Sequence, residues 1–585
     1  MTKEELLSKE TFVALFEMTP LDQIERENEL FLEAEKLGVK SRFKTTLNQY
    51  KQYLKKDIVM GKNLDLPECK YTINNYDMGK YTCNINGITD NQNYKFSYIP
   101  VLPVERYINE ESGKEKVKII FYKDNEWKEI IVDKSQLSIN QKLLLLSDIG
   151  LDVNSENVKY YINYFNDILN LNDIKKLSSV SHLGWFEDSF IPYDTHGIFD
   201  GENDFKNVFT ALRSKGDYKL WLETIKEARQ QPKIKILMAV VLASPLLEKL
   251  SIQPYIANFW SSMSGNGKTL SSMLAMSIWG DPSPSALRLS SNSTQNFIIS
   301  VASFMRNITC YFDELQIIKN NKYMDLNGLV MDLCNGTEKG RLNKNSQARE
   351  VKSWNCNFLF TNNDKMVKEN AGEQIYNRVI DIEVNETLYK NPNEVSNIIL
   401  NNYGFLGKDY IKIVKKIGFE KLRERYIAIY NNILNQTKAT DKQASSLASI
   451  ILADEIVVKN VFKDEQCLSI EDIKDLVNDK DEIRTSYKAK DYITNVISAN
   501  ENKFANNYGE IWGKVDKSYD GNVYIYTFNL QILCRELLKG GFEFETIKKE
   551  WAQMGFLEPN SQGKFIHQTS IDKAKGNYVK LKLER

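Results

Sequence analysis

Apolar positions change their period several times along this 585-residue chain, and each change marks a structural unit. Residues 1–65 set apolar side chains at helical spacing among charged ones and predict a helical segment with no visible chemistry. From about residue 68 the period shortens to two. Val117-Lys-Ile-Ile-Phe-Tyr122, a turn at Asp124-Asn125 and Trp127-Lys-Glu-Ile-Ile-Val132 predict a β-hairpin. A mixed helical stretch is expected up to about residue 200, where the Gly, Asp and Asn of Gly197–Asp204 mark a boundary. Residues 66–210 therefore read as an α+β domain.

Residues 211–395 alternate strand-like and helical runs, an α/β pattern. Strands are expected at Tyr255–Trp260, in the apolar run ending at Asp313, at Trp354–Phe360 and at Val379–Val384. Leu270, Leu274, Ile278 and Trp279 recur near helical spacing before the stop at Gly280-Asp-Pro282. Residues 396–465 read as a helical linker or lid, and 466–585 as a separate unit. There, Phe528–Leu538 forms an amphipathic pattern stopped by Gly540-Gly541. Phe544, Ile547, Trp551 and Met554 share one face of a second helix that ends before Gly555, and a hairpin runs from Gly563 to Leu583. Helix, turn, helix and β-wing is the order of a winged-helix domain, a module that commonly docks on duplex DNA and also mediates protein contacts.

Composition sharpens this picture at few points. Hydrophobic content of 42% and aromatic content of 11% belong to a folded chain. A formal net charge of −1 gives no global steering, so any nucleic-acid contact must come from local patches. One such patch is residues 561–585, where six Lys/Arg face two acids. The longest apolar run, Ile236–Leu247, is too short to span a bilayer and contains Pro245, and the amino terminus lacks an apolar leader. A cytoplasmic protein with no membrane partner is expected. Seven scattered cysteines and three histidines show no ligand spacing, so buried free thiols are expected rather than zinc.

The chemistry concentrates in Phe259–Leu270, a phosphate-binding loop between strand and helix. Gly265 and Gly267 let backbone N–H groups curl around a phosphate, so Ser264, Gly265, Asn266, Gly267, Lys268 and Thr269 form the candidate ATP site. Lys268 reaches the β- and γ-phosphates, the Thr269 hydroxyl ligates Mg²⁺, and the helix N-terminus favours the anion. Ser262 stands where the usual pattern has a glycine, and serine tolerates positive φ less well.

The second buried strand delivers Asp313 to the Mg²⁺ shell and leaves Glu314 to orient the attacking water. The third ends in Thr361-Asn362-Asn363, where Asn362, or else Asn363, is the candidate sensor of the γ-phosphate. The fourth is entered through Arg378; in ring ATPases an arginine there faces the neighbour's nucleotide. Between second and third strands, Gly336–Lys352 holds five basic residues against two acids around a Lys344-Asn-Ser turn. A hairpin at this place in a hexamer points into the central channel, where Lys339, Arg341 and Lys344 grip DNA phosphates.

Taken together, these residues resemble the AAA+ helicases encoded by phages and mobile elements, long catalogued only as a domain of unknown function and related to the MCM replicative helicases. The resemblance lies in Ser264–Thr269 with Ser277-Ile-Trp-Gly280, Phe312-Asp-Glu314, Asn335-Gly336 with Lys339-Gly-Arg341, Trp354 and Asn377-Arg378. His182-Leu-Gly-Trp185 adds to it, and the match runs over roughly residues 90–585. It implies a P-loop AAA+ core and an ATP-driven hexameric helicase acting on single-stranded and duplex DNA in replication of a mobile element. Two readings compete: an AAA+ remodeller of protein, and a nucleotide-gated origin binder without unwinding activity.

Overall fold

The computed structural model describes residues 2–584 apart from 17, 19, 60–63, 195–196, 285, 316–324, 341–350, 369–370, 464–466, 505–509, 518–522 and 572–573. The chain divides into two compact units, residues 1–181 with 196–200, and residues 182–195 with 201–585.

The first unit opens with helices Lys3–Leu6, Lys9–Phe16, Pro20–Lys36 and Lys40–Val59, which share a small core of Leu6, Phe12, Leu15, Leu30, Phe43 and Leu47. Next comes a four-stranded sheet over residues 64–97, then a five-stranded one. The hairpin Glu115–Lys123 with Glu126–Asp133 is present, and Tyr122 opposes Trp127. Asp124 and Asn125 take φ of 58° and 63°, as a tight two-residue turn requires. Helix Val158–Leu171 buries Tyr161, Tyr164, Phe165 and Ile168 in the same core as the strands.

Residues 176–199 differ from the mixed helical expectation. They form strands Lys176–Val180, Gly184–Phe186, Ser189–Ile191 and Ile198–Phe199. At two to five residues each, and with serine inside them, these strands carry too little alternation to register as a period.

The second unit is organised by a parallel sheet. Its strands are β1 (Ile256–Trp260), β2 (Leu289–Ser290), β3 (Cys310–Asp313), β4 (Phe358–Asn362) and β5 (Val379–Glu383). They lie in the order β2-β3-β4-β1-β5 and every pairing is parallel. β1 and β4 are buried at every position, as central parallel strands must be. β4 begins at Phe358, later than its sequence suggests. Trp354 instead bonds its N–H to the Gly336 carbonyl at 2.9 Å, and its indole N–H to the Leu333 carbonyl at 2.8 Å.

Below the sheet, helix Pro232–Leu250 and helix Asp441–Val457 are buried on nearly all sides and pack on each other. The Ile236–Leu247 run is thus a core helix, and no described helix is long and apolar enough to cross a membrane. Arg229 meets Asp454 at 2.9 Å with both side chains fully buried, and its guanidinium lies 4.5 Å from the centre of the Phe462 ring. The seven cysteines are free thiols, four of them buried.

The C-terminal module comprises helices α2 (Thr485–Ala499), α3 (Leu530–Lys539) and α4 (Phe544–Gln553). Its strands are β6 (Gly513–Lys517), β7 (Val523–Asn529), β8 (Leu557–Glu558), β9 (His567–Ile571) and β10 (Ala574–Glu584). Phe528, expected in the first helix of the pair, lies inside β7 instead. Asn529 then caps α3 by accepting from the N–H groups of Gln531 and Ile532, which fixes the helix start one residue on.

Candidate functional site

Because the sheet is parallel, β1, β3 and β4 release their chains at one edge, where ligands of α/β sheets bind. Register places Trp260 level with Asn362, and Phe312 level with Phe360. Helix α1 (Lys268–Met276) follows β1 through the candidate phosphate loop. Gly265 and Gly267 take φ of 78° and 97°. At Gly267 a Cβ would also stand 2.8 Å from the Tyr389 ring, whereas at Gly265 nothing lies within 4 Å. Ser262 is not among the positive-φ residues, so the glycine missing from that position is not needed there.

The loop is anchored from outside. Buried Asn266 donates its amide to the Val384 carbonyl at 3.1 Å and accepts the Leu388 N–H at its own carbonyl. Ser271 and Tyr389 share a hydroxyl contact of 2.9 Å. The Lys268 ammonium donates to the Ser261 and Met263 carbonyls at 3.3 and 3.0 Å. Burial holds its pKa below the ordinary lysine value, against the opposing pull of Asp313.

Thr269 donates its hydroxyl to Asp313 Oδ1 at 3.2 Å. Asp313 also accepts the Thr361 hydroxyl, and Arg288 Nε stands 3.9 Å from its other oxygen. Glu314 is exposed at the strand end with φ of 63°, and its N–H donates to Thr361 Oγ1 at 3.1 Å. Thr361 therefore couples Asp313 to the backbone of Glu314. Buried Asn362 donates to the Asp364 carbonyl at 2.7 Å and accepts the Asn363 N–H at 2.9 Å, while Asn363 is exposed. Asp381 on β5 holds the following turn by accepting from Asn258, Met366 and Val367, and burial raises its pKa.

Ser264, Gly265, Asn266, Gly267, Lys268, Thr269, Asp313, Glu314, Asn362 and Asn363 share one cavity of about 350 Å³, to which Thr361 also contributes. Arg378 lies apart from it. Its carbonyl accepts the Ile256 N–H at the opposite end of β1, a strand length of roughly 16 Å away. Its Nη1 donates to the Gln374 carbonyl at 2.9 Å, and its Nε is buried with no partner among the described residues. It lines a second cavity with Tyr426, Tyr430 and Lys442.

Lys339 is also remote and pairs with Asp332 at 2.9 Å. It follows the stem of a hairpin whose arms meet through Thr337 and Ser353 and through Glu338 N–H to the Lys352 carbonyl at 2.8 Å. Arg341 and Lys344 lie outside the described residues.

The donor set suits a nucleotide with Mg²⁺. Thr269 and Asp313 present adjacent hard oxygens, and Mg²⁺ takes one or two protein oxygens together with substrate phosphates and waters. Among the described residues no cluster of three or more His, Cys, Asp or Glu that could hold a metal by itself occurs. Sequence reasoning missed Thr361 and Arg288. Thr361 adjoins the sensor candidate, and only its contacts with Asp313 and Glu314 single it out, while Arg288 carries no local signal.

Residues 74–353 match the model of a family described as a domain of unknown function, DUF927, and residues 485–585 match the Cch helix turn helix domain. No curated protein matches the chain. Among solved structures, the chain is similar to "SCCmec type IV Cch - active helicase" at 17% identity and a TM-score of 0.62, covering 88% of this chain and 98% of that one. The chain thus shares that helicase's fold. A second similarity, to "The A form apo structure of NrS-1 C terminal region-CTR", has 13% identity and a TM-score of 0.28, covering 83% of this chain and 96% of that one. It carries no further argument.

Proposed function

We propose that this chain is a P-loop AAA+ ATPase that hydrolyses ATP with Mg²⁺ and uses the cycle to move along DNA as a helicase. It works as a hexameric ring in the cytoplasm, in replication of a phage or mobile element, and is kin to the MCM helicases. Residues 211–395 are the ATPase core in this reading, 396–465 its lid, 466–585 a winged-helix domain, and 1–65 and 66–210 the amino-terminal parts. The observation that carries it is the meeting of Lys268, Thr269, Asp313 and Glu314 in one cavity at the carboxyl edge of a parallel sheet. Likeness of fold to an active helicase and the helix-turn-helix match at residues 485–585 support the DNA half.

In this mechanism Lys268 exchanges the Ser261 and Met263 carbonyls for phosphate oxygens, which are stronger, charged acceptors. The N–H groups of residues 264–269 close around the same phosphates. Thr269 and Asp313 would hold Mg²⁺, which when bound would offset negative charge on the substrate phosphates. Glu314 orients the attacking water. Asn362 serves as the sensor once its amide leaves the Asp364 carbonyl, with Asn363, already exposed, as the other choice. A strand length separates Arg378 from its own loop, which favours action on the neighbouring subunit across a head-to-tail interface that closes a ring. Lys339, Arg341 and Lys344 contact the phosphates of the translocated strand.

ATP turnover of the full chain, with and without single-stranded DNA, tests the reading. Turnover stimulated by DNA, together with ATP binding but no turnover in Glu314→Gln, is expected. Turnover indifferent to DNA contradicts it and favours a remodeller of protein.

A further inference from the structure

The C-terminal module offers a duplex two surfaces, helix α4 and the hairpin of β9 with β10. Helix α4 exposes Glu545, Lys549, Glu550 and Gln553, and its Lys548 is already paired with Glu545. Thr546, Glu550 and Gln553 line a cavity of about 530 Å³ together with Glu373, just before β5. On α2, Lys488 donates to the Ala371 carbonyl at 2.8 Å and lies 4.0 Å over the Tyr376 ring. The helix face therefore carries two carboxylates against two lysines, no net positive charge, and is turned toward the core of its own unit. A phosphate backbone laid on it meets Glu545, Glu550 and Glu373 along with Lys549 and Arg484, so attraction and repulsion offset each other.

The hairpin has a different character. Gln568 opposes Asn577 and Ser570 opposes Lys575, so these four side chains share one face, and all four are exposed. Between Glu558 and Glu584 the sequence has one acid, Asp572, against five lysines. Lys580 and Lys582 face Glu558 at 3.5 and 3.2 Å, which leaves Lys564 and Lys575 as the outer cations among the described residues. Glutamine and asparagine each present a donor and an acceptor to base edges, serine presents either, and a two-stranded ribbon fits the major groove. Lysine supplies the phosphate contact.

We infer that this ribbon, and not helix α4, is the surface by which the module grips duplex DNA, with Gln568 and Asn577 toward the bases and Lys575 on the backbone. The inference rests on DNA being the partner, but on neither ATP nor a ring. The test is fluorescence anisotropy of the full chain on a blunt duplex without nucleotide, at several salt concentrations. Gln568→Ala/Lys575→Ala/Asn577→Ala is expected to weaken binding by about tenfold or more and to lower the salt slope by about 1. Lys575→Arg keeps the slope. Thr546→Ala/Lys549→Ala/Gln553→Ala stays within about twofold of wild type. Loss in the helix variant equal to or greater than in the ribbon variant overturns the inference, as does no loss in the ribbon variant. If the triple ribbon variant melts early, the slope of Lys575→Ala alone decides. Wild type failing to bind duplex also overturns it, while single-strand-stimulated turnover, measured separately, is left standing.

Discussion

At Gly267 two constraints coincide, a φ of 97° and the Tyr389 ring 2.8 Å from where a Cβ would lie, whereas Gly265 carries only the first. Gly265→Ala should cost about 1–2 kcal/mol of local stability. Gly267→Ala should cost more and weaken ATP binding more, which thermal unfolding and nucleotide titration on the two variants would check. Thr361 is the second residue with a definite expectation. Thr361→Val removes the donor to Asp313 and the acceptor for Glu314 N–H while keeping shape. Turnover should fall roughly 100-fold with ATP affinity nearly unchanged, because the loss is of geometry rather than binding. Thr361→Ser should retain most of the rate, and equal turnover in Val and wild type would remove Thr361 from the site. The contrast with Lys268 shows what a sequence displays. The phosphate loop is legible because its spacing is local to the chain. Thr361 and Arg288 act on Asp313 from distant positions, and only the packing of β2, β3 and β4 brings them there.

Among elements, the long apolar ones announced themselves and the short ones did not. Strand β1 is buried at every position and Ile236–Leu247 is the longest apolar run, although only the structure shows that run to be helical. β2, two residues long, and the strands of residues 176–199 do not stand out, because pairing partners rather than local alternation define them. Phe528 was drawn toward a helical pattern by the apolar spacing that follows it, yet Asn529 sets the boundary through its cap. Helices can also be pinned by charge, as Arg229 and Asp454 do between Tyr218–Ala228 and Asp441–Val457. Asp454→Ala strands a buried guanidinium and should lower unfolding free energy by about 3–5 kcal/mol. Arg229→Met/Asp454→Leu should restore much of that loss in denaturant unfolding. A double variant no better than Asp454→Ala would mean that packing, not charge, sets the cost.

For the whole molecule, the decisive separation is between the phosphate loop and Arg378, at opposite ends of β1. If Arg378 completes a neighbour's site, Lys268→Ala and Arg378→Ala chains should each be inactive alone and recover turnover when mixed, since half of the mixed interfaces pair an intact loop with an intact arginine. Turnover that stays absent on mixing would assign Arg378 to structure. The central claim, that ATP hydrolysis at Lys268 drives strand separation, is met most directly by strand displacement on forked DNA with ATP, comparing wild type with Lys268→Ala. Displacement by wild type and none by the variant is the predicted result; equal displacement by both would contradict it.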